Sequence, residues 1–272
     1  MAPILDRIIA AKRTQIAEAK RRADYRELER EARLHSPRGF RRALQTKSSN
    51  GVAIIAELKK ASPSKGLIRS DFEPKQLARE FEEAGAAALS VLTDEEFFQG
   101  SLRNLREASA TVKIPCLRKD FIVDEFQLLE SRANSADAIL LIVAALSPEQ
   151  LHRLAAEARS QGLDVLCEVH DSQELQCALD AGCDLIGVNT RDLRTFQVDV
   201  KTAFSLGDKI PRDVVRVAES GIDSGETITE LRSAGYHAFL VGEWLMRAKR
   251  PGEALRGLLK AATPESPVAS RL

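Results

Sequence analysis

Long apolar runs are missing from this sequence of 272 residues. A helix that crosses a bilayer needs roughly 20 consecutive, mainly apolar residues, and no segment of the chain approaches that length. The segment from Met1 to Lys20 is charged and periodic, without the apolar stretch of a signal peptide. We therefore expect a cytoplasmic protein that does not associate with a membrane.

Net charge is also missing, because 40 Lys and Arg residues balance 40 Asp and Glu residues. Proteins that bind nucleic acid or anionic membranes usually carry an excess of positive charge. The balance therefore argues against both kinds of partner.

Cysteine is scarce and shows no metal-binding or redox spacing. The four cysteines, Cys116, Cys167, Cys177 and Cys183, form no C-x-x-C pair, which is the spacing typical of zinc sites and redox motifs. The histidines away from position 170 suggest no metal site either. We expect free thiols in a reducing compartment and no bound metal.

Short apolar runs alternate with amphipathic segments from residue 52 onward. The eight runs cover residues 52–58, 87–92, 114–117, 136–143, 163–169, 184–188, 214–218 and 237–241. They are rich in Val, Ile and Leu, as are parallel strands that are covered on both faces. Ser147, Pro148 and Gln150 predict a capped helix start. Gly85, Gly182 and Gly235 precede new apolar runs and predict helix ends.

Eight strand–helix units in one uninterrupted series favour a (βα)8 barrel of the α/β class. The alternative is a doubly wound sheet, but no glycine-rich nucleotide-binding motif follows the first strand. We predict a single domain over residues 1–272, with an N-terminal helical extension at 1–50 and a barrel core at 52–262.

Polar side chains follow the strands at the ends that open into the mouth of such a barrel. The predicted rim consists of Glu57, Lys59, Lys119, Glu168, Asn189, Arg191 and Glu219. Each cluster alone could cap a helix or form a surface ion pair, whereas the matched set of acids and cations predicts a catalytic mouth. His170 shares a strand end with Glu168, and for it a structural or solvent-facing role is favoured.

Two glycine-containing pairs follow the seventh and eighth strands. Ser220-Gly221 and Gly242-Glu243 can present backbone N–H groups to a phosphate that approaches closely. The alternative is that these glycines only permit tight turns. Barrels often bind phosphate between these two loops, so we predict a phosphate cup here.

Six motifs in order resemble the indole-3-glycerol phosphate synthase family. They are E-x-K-x-x-S-P-S-x-G at 57–66, L-T-D with F-F-x-G-S at 92–101, L-R-K-D-F at 117–121, E-V-H at 168–170, N-x-R-x-L with T-F-x-V-D at 189–199, and E-S-G-I at 219–222. The resemblance implies a (βα)8 barrel with an N-terminal helical extension. It also implies conversion of 1-(2-carboxyphenylamino)-1-deoxyribulose 5-phosphate into indole-3-glycerol phosphate, CO₂ and water, in tryptophan biosynthesis and without a cofactor.

The resemblance assigns chemical roles to five positions. Lys119 is the expected general acid at ring closure. Glu168 is expected to take or return a proton in the dehydration, supported by Glu57. Lys59 is expected to steer the anionic groups of the substrate and to share acid duty, and Asn189 to orient the intermediate.

The resemblance assigns binding roles to seven further residues, Ser62, Phe121, Arg191, Glu219, Ser220, Gly221 and Gly242. The chain departs from the common family pattern at Thr190, Phe126 and Trp244. Two alternatives remain: another phosphate-binding barrel enzyme, such as a phosphoribosylanthranilate isomerase, and a barrel that binds phosphate without catalysis. The expected partner is a small phosphorylated substrate, and the chain is expected to be a monomer or a weak homodimer.

Overall fold

The computed structural model describes residues 4–191 and 199–263. Three helices come before the first strand: α1 (Ile4–Arg22), α2 (Tyr25–Leu34) and α3 (Phe40–Asn50). The eight barrel strands are β1 (Ala53–Leu58), β4 (Ala88–Leu92), β5 (Cys116–Lys119), β6 (Ala138–Ile142), β7 (Asp164–Val169), β8 (Leu185–Asn189), β9 (Val215–Glu219) and β10 (Ala238–Val241). Two short strands, β2 (Ala61–Ser62) and β3 (Gly66–Leu67), form an antiparallel hairpin after β1.

The eight strands form a closed parallel barrel in which β1 pairs with both β4 and β10. Helices follow the strands: α4 (Pro74–Ala84), α5 (Glu95–Phe98), α6 (Leu102–Thr111), α7 (Phe126–Ala133), a 3₁₀ turn (Val143–Ala145), α8 (Pro148–Ser160), α9 (Ser172–Asp180), α10 (Lys201–Gly207), α11 (Gly225–Ser233), α12 (Glu243–Arg247) and α13 (Pro251–Ala261). The (βα)8 barrel predicted from the apolar runs is confirmed. Each predicted run overlaps an observed strand.

The predicted helix boundaries follow from local chemistry. Ser147 and Gln150 form a reciprocal capping box, with Pro148 in the first helical turn of α8. Gly85, Gly182 and Gly235 have φ values of 99°, 71° and 88°, a left-handed conformation that glycine adopts at little cost.

Alternation along the strands divides the core into two layers. Side chains such as Ile54 and Leu58 face outward and pack under the helices. Ile55 and Leu117 belong to the inner layer, which also contains Phe40 and Leu44 from α3. Helix α3 therefore packs against the barrel interior.

The N-terminal helices contact opposite ends of the barrel. Arg38, just before α3, binds Asp137 at the start of β6. At the other end, Ile4 and Ile8 of α1 line the cavity at the carboxyl ends of the strands. Within residues 4–191 and 199–263, no helix is long and apolar enough to cross a membrane.

Candidate active site

A cavity of about 390 Å³ opens at the carboxyl ends of the strands. All of the predicted catalytic and binding residues line it: Glu57, Lys59, Ser62, Lys119, Phe121, Glu168, Asn189, Arg191, Glu219, Ser220, Gly221 and Gly242. Parallel strands bring these residues together because their ends share one face of the barrel. We call this space the mouth cavity.

Five ionisable residues form the charged centre of the mouth cavity: Glu57, Lys59, Lys119, Glu168 and Glu219. Lys119 ends β5, and its Nζ lies 3.0 Å from Oε2 of Glu219 and 3.4 Å from Oε2 of Glu168. Burial alone would lower the pKa of Lys119, but the carboxylates of Glu219, Glu168 and Glu57 outweigh burial and raise it. Lys119 is therefore an ammonium group at neutral pH, ready to donate a proton.

The carboxylate of Glu168 lies between Lys119 and His170. One carboxylate oxygen faces Lys119, and the other lies 3.4 Å from Nε2 of His170. Burial alone would raise the pKa of Glu168, but Lys119 and His170 outweigh it, helped by a hydrogen bond with Asn189, and lower the pKa to about 2. Glu168 is therefore ionised and able to accept a proton.

Glu219 differs from Glu168, although both carboxyl groups contact Lys119. Burial raises the pKa of Glu219 to about 7, because the attraction of Lys119 only partly offsets burial and the nearby charge of Glu168. Its Oε1 has no hydrogen-bond partner within the described part of the chain. Gly187 leaves room for this oxygen, since a Cβ there would lie 2.1 Å from it.

Glu57 and Lys59 form the second ion pair of the charged centre, with 2.7 Å between Oε1 and Nζ. Their spacing of two in the sequence puts both side chains on the same side of the extended chain. Burial would raise the pKa of Glu57, but Lys59 and Lys119 outweigh it and lower the pKa. Ser90 donates a hydrogen bond to the other carboxylate oxygen at 3.4 Å.

Asn189 joins the sixth barrel strand to the loop after the seventh. Its Oδ1 accepts hydrogen bonds from the Ser220 hydroxyl at 2.8 Å and from the backbone N–H of Arg191 at 3.0 Å. The Arg191 guanidinium lies 3.9 Å from the Glu243 carboxylate. Asn189 thus links Glu168 to the predicted phosphate cup.

The predicted phosphate cup lies along one wall of the mouth cavity. Ser220 and Gly221 have φ values of 68° and 69°, a conformation that is unusual for serine. Gly242 and Trp244 also line the cavity, together with Arg247. Trp244, one of the positions where the chain departs from the family pattern, is 37% exposed and lies where the mouth cavity opens to solvent.

The opposite wall is mainly apolar. Phe121 packs against Phe98 with ring centroids 6.1 Å apart, and Leu5 and Ile8 of α1 complete this side. Ser62 lies on the hairpin after β1, with its hydroxyl 3.5 Å from that of Ser64. A ligand that is charged at one end and aromatic at the other matches this division.

Two features of the site were missed from the sequence: the hairpin that carries Ser62, and Lys12 of α1, which is buried against Asp94 and Asp120 at 2.7 and 2.8 Å. The sequence left open whether the N-terminal helices lie over the mouth or only shield the barrel surface, and in the structure Leu5 and Ile8 of α1 line the cavity. The apolar face of α1, containing Ile8, was the only sequence signal for its packing. Thr190 donates to backbone oxygens of Glu219 and Ser220, so it supports the loop from below the cavity wall.

Some predicted features lie outside the described residues. Leu193, Thr195, Phe196 and Val198 belong to the resemblance at 189–199 but fall in the segment 192–198. Among the described residues, no group of three or more His, Cys, Asp or Glu side chains could hold a metal ion.

A closed barrel that gathers acids and ammonium groups in one mouth cavity defines a (βα)8-barrel enzyme. Residues 5–258 match the family described as indole-3-glycerol phosphate synthase. The synthase of Koribacter versatilis is 57% identical over 259 residues, covering 95% of this chain and 100% of that protein. That of Burkholderia lata is 51% identical over 256 residues, covering 94% and 98%. The chain belongs to the indole-3-glycerol phosphate synthase family.

The fold is shared more widely. The crystal structure of a 3-hexulose-6-phosphate synthase superposes with a TM-score of 0.63 at 13% identity, covering 77% of this chain and 99% of that one. At this identity the likeness describes the barrel alone.

Proposed function

We propose that the residues of the charged centre close the indole ring of 1-(2-carboxyphenylamino)-1-deoxyribulose 5-phosphate with loss of CO₂ and water. The observation that carries this proposal is the convergence of Lys59, Lys119 and Glu168, from three different strands, on one cavity. Membership of the synthase family supports the same reaction.

The first chemical step needs an acid at the ribulose carbonyl. As the aromatic ring carbon attacks the carbonyl carbon, the ammonium of Lys119 gives a proton to the carbonyl oxygen, which becomes a hydroxyl. The carboxylates of Glu219, Glu168 and Glu57 keep Lys119 protonated beforehand, and general acid catalysis of this kind contributes about 10² to 10⁴ in rate. Loss of the ring carboxylate as CO₂ then restores aromaticity.

The second step is a dehydration. Glu168 takes a proton from the decarboxylated intermediate, and the new hydroxyl leaves as water after an ammonium group protonates it. Lys59 shares this acid duty, with Glu57 holding its Nζ in place. Asn189 orients the intermediate through its contacts with Glu168 and Ser220.

Substrate orientation follows from the two walls of the mouth cavity. The phosphate is placed against Ser220, Gly221 and Gly242, with Arg191 nearby to supply positive charge. The carboxylated ring is placed against Phe121. Because the phosphate and the carboxylated ring of the substrate are both held, the ring carbon lies close to the carbonyl carbon. This lowers the entropic cost of ring closure.

The isomerase alternative fits the site less well. That chemistry needs a carboxylate and a thiol or second acid, not two lysines. Cys116 and Cys167 are fully buried and do not line the cavity, whereas Lys59 and Lys119 do. We further propose that the enzyme works in the cytoplasm as a monomer or weak homodimer, without nucleic-acid partners.

The test is direct. Purified protein mixed with the substrate alone should produce indole absorbance and release one CO₂ per product. Lys119→Ala and Glu168→Gln should each lower kcat by about 100-fold or more and change KM much less. Lys113→Ala, on an exposed loop before β5, is the control and should behave as wild type. Absence of product would reject the function, and near-normal turnover in either site variant would reject that residue's role.

A further inference from the structure

His170 lies behind the charged centre and does not line the mouth cavity. It follows β7 directly and precedes Asp171, which caps α9 by accepting from the backbone of Gln173 and Glu174. The imidazole is largely buried, with 16% of its side chain exposed. It therefore acts on the site only through Glu168.

The ring of His170 is fixed by Glu174. One oxygen of Glu174 accepts both the backbone N–H of His170 at 2.8 Å and its ring Nδ1 at 3.0 Å. The double contact fixes the ring relative to its own backbone. Nε2 lies 3.4 Å from Oε1 of Glu168, within ion-pair distance, and makes no hydrogen bond to another group among the described residues.

Both ring nitrogens of His170 face carboxylates, and this determines its charge. A neutral imidazole would turn one nitrogen lone pair toward an anionic oxygen, whereas an imidazolium donates from both nitrogens. In the described part of the chain, Glu168 on β7 and Glu174 on α9 are the charged groups that face the ring, and Lys119 lies across Glu168.

We propose that His170 is a positioning residue of the synthase reaction: an imidazolium, fixed by Glu174, that holds the Glu168 carboxylate ionised and turned toward Lys119. The proposal rests on the function proposed above, since it acts through Glu168. After Glu168 has taken a proton from the intermediate, the adjacent positive charge favours release of that proton and return of the carboxylate.

The electrostatics agree with the geometry. Burial alone would lower the pKa of His170, but hydrogen bonds and charge from Glu168 and Glu174 outweigh burial and raise it to about 10. In return, His170 contributes to the lowered pKa of Glu168. Removing the imidazolium therefore raises the pKa of Glu168, and activity is lost at a higher pH as the solution is acidified.

A matched pair of variants separates charge from shape. His170→Gln keeps a hydrogen-bond donor without the charge, and His170→Lys keeps the charge. The acidic limb of the kcat profile, where Glu168 becomes protonated, should move up by about one pH unit in the Gln variant. At a fixed pH on that limb kcat should be about tenfold lower than in wild type, with KM within twofold of wild type. The Lys variant should keep the limb near its wild-type position, because it keeps a positive charge beside Glu168.

Two further measurements keep the result unambiguous. Glu174→Gln should shift the limb in the same direction by a smaller amount, and His152→Gln, on an exposed face of α8, should leave it unchanged. In the free enzyme, the His170 ring should stay protonated above pH 8 by NMR, assigned by difference from the His170→Gln spectrum. The proposal would be overturned by a His170 ring that titrates near pH 6.5, or by a Gln variant whose acidic limb lies at the wild-type pH. Neither result would contradict the proposed function, as long as the wild-type enzyme turns the substrate over.

Discussion

Gly242 allows the last barrel strand to approach Glu57. A Cβ at this position would lie 2.4 Å from Oε1 and 3.0 Å from Cβ of Glu57. No rotation of the new methyl group relieves the contact, because a Cβ position is fixed by the backbone. Glu57 would have to move, and its partner Lys59 would move with it.

Gly242→Ala is therefore expected to lower kcat by about tenfold or more by misplacing the Glu57–Lys59 pair, since displacements of about 1 Å at a catalytic site cost up to 100-fold. Steady-state kinetics are the measurement. Gly257→Ala is the control, because a Cβ there meets nothing within 4 Å and alanine favours the helix by about 0.5–1 kcal/mol. Equal activity in the two variants would contradict the close contact.

Single residues also show where sequence reasoning stops. The strand ends predicted that Lys119, Glu168 and Glu219 share one mouth, and the structure places them there. The direction of the Lys119 pKa could not be predicted, because burial and charge act in opposite senses. The answer depends on distances of 3.0 and 3.4 Å to two carboxylates, which the sequence does not contain.

At the level of elements, α1 is held over the mouth cavity by one buried lysine. Lys12 is only 5% exposed and contacts Asp94, the cap of α5, and Asp120, which follows Lys119 directly. Burial would lower the pKa of Lys12, but the two aspartates raise it. The same helix brings Ile8 to the cavity wall, so this cluster connects helix docking to the ligand pocket.

Lys12→Met should raise KM severalfold and lower the free energy of unfolding by about 3–5 kcal/mol, because it removes the cation paired with buried Asp94 and one of the two cations paired with buried Asp120. Lys20→Met is the control on the same helix. Lys20 forms an exposed pair with Asp124, and such pairs contribute about 0–1 kcal/mol. Kinetics and urea unfolding measure the two effects separately, and a wild-type KM in Lys12→Met would show that α1 docking does not serve binding.

Elements with a strong pattern were predictable, and short ones were not. Eight apolar runs gave the barrel strands because a covered parallel strand is apolar on both faces. The hairpin of β2 and β3 has two residues in each strand, too few for any periodicity. Helix α1 was predicted as amphipathic, but only tertiary contacts show that its apolar face covers the mouth.

At the scale of the whole molecule, the end of the barrel opposite the mouth serves stability. Asp137 is fully buried before β6 and accepts hydrogen bonds from His35, from Arg38 and from the backbone N–H of Cys116. Burial would raise the pKa of Asp137, but these donors outweigh it and lower the pKa. Its contribution to stability is therefore present above the unfolded pKa near 3.8 and is lost as the pH falls below it.

Arg38→Met should lower the free energy of unfolding at pH 7 by about 3–5 kcal/mol, since it removes the main cation from a buried carboxylate. The difference from wild type should shrink as the pH falls below 4. The kcat at 25 °C should not change, because the cluster lies at the other end of the strands. Arg42→Met, an exposed neighbour, should stay within about 0.5 kcal/mol of wild type. A large loss of kcat in folded Arg38→Met would contradict the division between the two ends.

The division into an extension at 1–50 and a core at 52–262 stays a prediction. The contacts of α1 with the mouth and of α3 with the inner core indicate what removal of the extension would expose. Deleting the residues before Gly39 removes α1 and α2 and keeps α3. Measuring KM and the free energy of unfolding of this variant separately would show how much the deleted helices contribute to substrate binding and how much to stability.

The charged centre holds three carboxyl groups around two ammonium groups, and the carboxyl of Glu219 has a pKa of about 7. An anion that enters must compete with Glu219 for Lys119. When the Lys119 ammonium pairs with the bound anion, Glu219 loses part of the attraction that lowers its pKa and takes up a proton from the solvent. Capture of an anionic ligand is thus thermodynamically linked to hydrogen-ion uptake, and affinity weakens in alkaline solution.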